Sequence, residues 1–302
     1  MEILLKQPYS FCQKGRRSNQ EDARFPDDDS PQGVKSAFVV CDGVGGQDKG
    51  EIASRTVADA IGVYMDNVDL TEPFDASDFS NVLEYVYNRL NKVMGRDNRE
   101  MATTMTFVCF HGNGVFCAHM GDSRIYHIRP GVGILYQSED HSLVNALVHS
   151  GNITPEEAIN HPQSNVITRC IGYVEKGAEK PSATTMQIED VESGDYFFLC
   201  SDGVLHKVDD SKLYNILSSD ISDKYKMEQL ADLSKDSSDN NTAYLICVDK
   251  VLGANESKDD ADNNDVSDTT PLSNCSGMSQ EAFPHQMTTG KKISNFLKDL
   301  FS

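Results

Sequence analysis

The chain has 302 residues, 38% of them hydrophobic, with 27 Lys and Arg against 47 Asp and Glu and a formal net charge of −20. That length gives ample core for one large domain or two small ones, but the hydrophobic fraction is a little low for a chain packed throughout. The negative charge argues against nucleic acid, whose phosphates want a basic face. The sequence has no apolar run of about 18 residues to span a membrane, and MEILLKQPYS lacks the apolar stretch and cleavage site of a signal peptide.

In chain order, YSFCQKG and SAFVVC read as strands, followed by a helix over roughly 49–67 with Ile52, Val57, Ala60, Ile61 and Tyr64 on one side. A second helix is expected over roughly 76–95, carrying Phe79, Val82, Leu83, Val86, Leu90 and Val93. MTFVCF and VFCAHM read as a hairpin around HGNG, and RIYHI and ILYQ as another around PGVG. TTMQIE, DYFFLC and TAYLICV complete the strands, and two further helices fall near 209–218 and 224–236. Helices early and late with hairpins between them predict an α+β fold. In it, two antiparallel sheets are flanked by helices, and the apolar strands are buried on both faces.

Residues 138–180 have few strand signals and read as a helical flap beside the site. HSLVNALVHSG is a short helix ended by Gly151; Thr154-Pro155-Glu156-Glu157 is a cap, a proline at the first helical position and an acid three residues after the cap. The compact unit is expected over 1–252. Residues 253–290, with seven acids and one lysine, read as a disordered acidic linker. Ile293, Phe296, Leu297, Leu300 and Phe301 lie on one face of a short amphipathic helix over 291–302. It suits docking on a partner or on the protein's own surface, or contact with a membrane.

Of the eight cysteines, five sit inside apolar runs, where a free thiol behaves as a small core hydrophobe. There is no CxxC pair to signal zinc, so a reducing, cytoplasmic setting is expected. His111, His119, His127 and His141 read as structural, and Tyr85 and Tyr87 as helix packing.

The chemistry concentrates in acids at the mouths of apolar runs. Asp42 follows AFVVC, Asp122 sits in HMGDSR, Asp202 follows YFFLC, Asp239 precedes TAYLICV, and Glu21 and Asp22 end RRSNQED. A carboxylate at the end of a buried strand is costly unless a cation meets it. Hard divalent ions with oxygen ligands are the natural answer, and such ions activate water against phosphate. DGVGGQDKG is no nucleotide loop: the third glycine of GxGxxG is Asp48, and no GK is followed by Ser or Thr.

The ordered succession R-x-x-x-E-D, DGxGG, ATTMT, GDSR, SDG and DN before a strand resembles the metal-dependent protein phosphatases of the PPM, or phosphatase-2C-like, family. The likeness covers about residues 8–250, and HPQSNVITRCIG resembles the bacterial branch. The resemblance implies a four-layer α-β-β-α sandwich and a centre of two, in some members three, Mn²⁺ or Mg²⁺ ions. By that resemblance Asp42 bridges two metals and Gly43 lends its carbonyl, while Asp202 and Asp239 complete the first metal. Glu21 serves the second partly through water, with Asp22 hydrogen-bonded in support. Arg17 matches the phosphate-binding arginine, Asp122 a ligand of the third metal, and Asn165 in the flap is a further candidate for that third site.

The implied activity is hydrolysis of phosphoserine and phosphothreonine by a hydroxide bridging the two metals, with Arg17 on the phosphate oxygens. Implied partners are phosphorylated proteins, substrates of a bacterial serine/threonine kinase. Two positions depart from the family pattern. Val44 stands where animal members have a histidine, and His206 stands where an acid is usual, four residues after Asp202. The alternative reading is a catalytically silent metal- or phosphoprotein-binding module of the same fold. Retention of Arg17, Asp42, Asp202 and Asp239 is what separates the two.

Overall fold

A computed structural model describes residues 1–27, 35–45, 50–94, 101–159 and 161–253. Strands β1 (Glu2–Leu5), β2 (Tyr9–Gln13), β3 (Asp22–Phe25) and β4 (Ala37–Val44) are followed by helices α1 (Gly50–Met65) and α2 (Ala76–Met94). Then come β5 (Ala102–Thr103), β6 (Met105–His111), β7 (Gly114–Met120), β8 (Arg124–Arg129) and β9 (Gly133–Gln137). The flap holds α3 (Leu143–His149), α4 (Pro155–Ile159) and β10 (Ile171–Gly172). The chain continues through β11 (Thr184–Ile188), β12 (Tyr196–Cys200), α5 (Asp202–Leu205), α6 (Asp210–Leu217), α7 (Asp223–Ser234) and β13 (Asn241–Leu252).

One sheet runs β1-β13-β12-β8-β9 with β2 also on β13; the other runs β10-β5-β4-β6-β7-β11 with β3 on β4. The period-two geometry of a strand explains why the apolar runs are continuous. Along β12, Phe197 and Leu199 enter the core between the sheets beside Phe38, Val108, Phe110 and Ile246. The alternate residues Tyr196, Phe198 and Cys200 meet Leu213, Leu217, Met227 and Leu230 of α6 and α7. Phe110 and Phe197 join the sheets edge to face, with ring centroids 5.2 Å apart. On the far side α1 packs on β4 and α2, and Phe79 of α2 stacks on Phe107 at 4.9 Å. Each such side chain contributes about 1.5–3 kcal/mol by leaving water. The layers are therefore helix, sheet, sheet, helix.

Several expectations need correction. Ile52 and Val93 are 41% and 51% exposed, so they point outward from α1 and α2 rather than into the core. TTMQI is not a doubly buried strand: β11 is an edge strand, paired only through β7, and largely exposed. His111 belongs to the end of β6, paired with Gly114 across a two-residue turn; its Nδ1 accepts from Phe74 N, a structural role as expected.

The flap's helical caps form as the sequence predicts. Thr154 Oγ1 accepts from Glu157 N at 3.2 Å while Glu157 Oε2 accepts from Thr154 N at 2.9 Å. All seven cysteines among the described residues are free thiols, and no described helix is long and apolar enough to cross a membrane. Met1–Val251 form one compact unit. The acidic linker and terminal helix, with its docking, lie outside the described residues.

Candidate metal centre

The β3–β4 pair sets Asp22 directly opposite Asp42. The threonines that open the next strand pair fix Asp42. Its N–H donates to Thr104 Oγ1 at 2.9 Å. Its carbonyl accepts from Thr104 N at 2.8 Å and Thr103 Oγ1 at 2.9 Å. Thr104 Oγ1 in turn lies 2.7 Å from the hydroxyl of Ser123, beside Asp122. Gly43 N donates to Glu21 O at 3.1 Å. A Cβ on Gly43 would lie 2.4 Å from the Gly50 backbone and 2.6 Å from Glu21 O, so only glycine lets these segments close on the site.

The other sheet supplies Asp202, at the start of α5 behind β12, and Asp239, just before β13. Ser201 ties the two sheets together: its hydroxyl donates to Asp22 Oδ2 at 2.8 Å and accepts from Thr242 N at 3.0 Å. Arg17 reaches Asp239 Oδ2 with one guanidinium nitrogen at 2.6 Å. Asn240 accepts from Glu21 N and donates to the carbonyls of Lys14 and Asn19, each at 2.8 Å. Neither Asn240 nor Ser201 is singled out by the sequence reading. Their signal is the SDG and DN text itself, where the residue beside each ligand is also polar.

The electrostatics report a well of negative charge. Burial, then Asp22, Asp202, Asp122 and Asp239, drives the Asp42 carboxyl far above its ordinary range. Asp22 is pushed up to about 7 by burial, against the hydrogen bond from Ser201. Asp122 is also raised to about 7, by burial and by Asp202 and Asp140. Asp202 is raised by burial, with His206 opposing. Arg17 is held above its ordinary value by its bond to Asp239.

These residues fit divalent cations. Oδ1 of Asp22 and Oδ1 of Asp202 are buried without a hydrogen-bond partner, and the donors are hard oxygens throughout. Among the described residues no three His, Cys, Asp or Glu side chains are gathered closely enough to hold an ion by themselves. Ions here would therefore draw on the Gly43 carbonyl and on water, as Mg²⁺-type sites do.

Asp122, Asn165, Asp202 and His206 line one cavity of about 390 Å³, walled by α3 and α4 of the flap. The residues assigned to the third site thus share a space. A larger cavity of about 530 Å³ lies between β2, β3 and α1 behind Asp22, but Asp42, Asp202 and Asp239 do not line it.

The sequence profile of protein phosphatase 2C matches residues 16–237. The chain belongs to the protein phosphatase 2C family. Protein phosphatase PhpP of Streptococcus pneumoniae is 34% identical over 221 residues, 72% of this chain and 87% of PhpP. Serine/threonine protein phosphatase PstP of Mycobacterium tuberculosis is 33% identical over 207 residues, 67% of this chain and 38% of PstP. The crystal structure of Mycobacterium tuberculosis PstP/Ppp superposes with a TM-score of 0.68 at 28% identity, covering 82% of this chain and all of that one. A PstP catalytic-domain structure in complex with two manganese ions gives 0.65 at 26% identity, covering 82% of this chain and 99% of that one. This phosphatase-2C chain is accordingly a metal-dependent serine/threonine protein phosphatase with the α-β-β-α fold.

Proposed function

We propose that the centre hydrolyses phosphoserine and phosphothreonine with two divalent ions, Mn²⁺ or Mg²⁺, held by Asp42, the Gly43 carbonyl, Asp202, Asp239 and Glu21. The observation that carries this reading is geometric: the strand pair sets Asp22 opposite Asp42, and Asp22 Oδ1 and Asp202 Oδ1 are buried without a hydrogen-bond partner. When bound, such ions lower the pKa of water and neutralise charge on a phosphoryl group.

The chain's own residues do the rest. Asp22, held by Ser201, orients the inner face of the site. The Arg17 guanidinium, about half exposed and bonded to Asp239 through one nitrogen, presents its planar fork to phosphate oxygens. Positioning and charge stabilisation account for the catalysis, and no covalent enzyme intermediate is called for. Burial also raises the Cys41, Cys117 and Cys200 thiols, so none is a ready nucleophile.

Asp122 and Asn165 are assigned to a third ion. The substrates are read as proteins phosphorylated by a bacterial serine/threonine kinase, and free thiols support a cytoplasmic setting. The test is turnover of a phosphothreonine peptide with and without Mn²⁺, in wild type and Asp42→Ala. Metal-dependent turnover lost in the variant supports the assignment. A folded, metal-loaded wild type without turnover would return the chain to the silent-module reading.

A further inference from the structure

Two stretches far apart in sequence lie side by side at this centre. Residues 14–21 carry Arg17, and residues 237–240 carry Asp239. Arg16 N donates to Ser237 O at 3.0 Å. Gly15, at φ +58°, packs so closely that a Cβ there would lie 2.1 Å from Asp239 O. The Asn240 carboxamide spends both of its functions on the same loop. Nδ2 donates to Lys14 O and Asn19 O, on either side of Arg17, and Oδ1 accepts from Glu21 N. The residue is 3% exposed. Its backbone N–H donates to Asp239 Oδ1 at 2.9 Å, while Asp239 Oδ2 takes the Arg17 guanidinium. One residue therefore sets both ends of the Arg17–Asp239 pair.

We infer that Asn240 is a positioning residue for phosphate, acting through Arg17 by holding the 14–21 loop where the guanidinium meets the substrate. The inference rests on the reading of Arg17 as the phosphate ligand. The chemistry asks for a carboxamide, since only a planar group with an acceptor and two donors satisfies one N–H and two carbonyls together. Aspartate would turn the donor side into an acceptor facing two carbonyl oxygens, and leucine would remove all three hydrogen bonds.

The experiment is a double-mutant cycle of wild type, Arg17→Ala, Asn240→Ala and the double variant, each shown to be folded by thermal melting and assayed with saturating Mn²⁺. The readouts are competitive inhibition by inorganic phosphate and the KM and kcat for a phosphothreonine peptide. A misplacement of about 1 Å can cost about 10²-fold. Asn240→Ala is accordingly expected to weaken phosphate inhibition and raise KM by about tenfold or more. In the Arg17→Ala background the same change adds less than about twofold, because the two residues act as a unit.

Multiplying effects, or unchanged phosphate inhibition in Asn240→Ala, overturn the inference while leaving the Arg17 reading standing. Unchanged phosphate inhibition in Arg17→Ala removes the Arg17 reading itself, and the inference with it. Should Asn240→Ala not fold, Asn240→Ser replaces it in the cycle. It keeps a small acceptor for Glu21 N and lacks the paired donors.

Discussion

His206 stands where the family resemblance leads one to expect an acid, four residues after Asp202. Its Nε2 lies 3.8 Å from Asp202 Oδ2, and it lines the cavity that holds Asp122 and Asn165. A neutral imidazole can ligate Mn²⁺ but brings no negative charge to offset the ion's. His206→Asp is therefore expected to tighten binding of the proposed third ion severalfold while leaving the proposed pair at Asp42 in place. Calorimetric Mn²⁺ titration reads this as a gain in the weak binding step alone; unchanged affinity and stoichiometry would refute it. Asp42, Asp202 and Asp239 are legible in the sequence because a carboxylate at the end of an apolar run is an anomaly that calls for a cation. The residues that aim them are not. Thr104 reaches Asp42 across 62 residues, Ser201 reaches Asp22 across 179, and Asn240 reaches Glu21 across 219. Each is an ordinary polar residue until the fold supplies its partner.

Secondary-structure elements were legible where one physical signal dominated. The runs of β6, β7 and β12 are apolar because both faces are buried, and the α4 cap followed from Thr154, Pro155 and Glu157. Exposure was not legible: the threonines and methionine of β11 suit an edge strand as well as an inner one. A further feature hidden at this scale is the tie between β8 and the entry to β12. Asp195, fully buried, accepts from Arg129 Nε at 2.8 Å and lies 2.8 Å from His127 Nε2. Burial alone would raise its carboxyl, but these bonds hold it at about 2. Asp195→Ala leaves Arg129 and His127 without their shared acceptor, while Arg129 keeps Glu192 and Asp190, and is expected to cost about 1–3 kcal/mol at neutral pH. A depressed carboxyl contributes stability above its unfolded value near 4 and loses it as pH falls towards about 2. Urea unfolding of both proteins should show a gap that is full at neutral pH and narrows, without closing, between about pH 4 and 2. A gap unchanged across that window would show that Asp195 acts by packing alone.

At the scale of the whole molecule, folding gathers like charges at the meeting of the two sheets in a chain that already carries a net charge of −20. Asp22 and Asp122 are raised to about 7, above the ordinary carboxylate value near 4. The folded state thus holds these protons more tightly than the unfolded chain. The sign follows: their contribution to stability is greatest below about pH 4 and is lost as pH rises towards about 7. Divalent ions compete for the same oxygens and bind the deprotonated forms, so their stabilisation must grow over that window. Mass action gives about 2.7 kcal/mol at a hundred times Kd. The rise in Tm on adding Mn²⁺ to chelator-treated protein is expected to be small near pH 5 and larger above about pH 7. Asp42→Asn removes the cost of holding this carboxyl buried among its neighbours and, on the proposed reading, also the central ligand, so its two effects have opposite signs. The metal-free variant should melt above the metal-free wild type, and Mn²⁺ should no longer raise it. A variant that melts lower without metal would mean that crowding of carboxylates at Asp42 is not what the ions relieve, since the bonds to Thr103 and Thr104 use only the Asp42 backbone and are kept. A Mn²⁺ increment equal on both sides of pH 7 would separate ion binding from these carboxylates altogether.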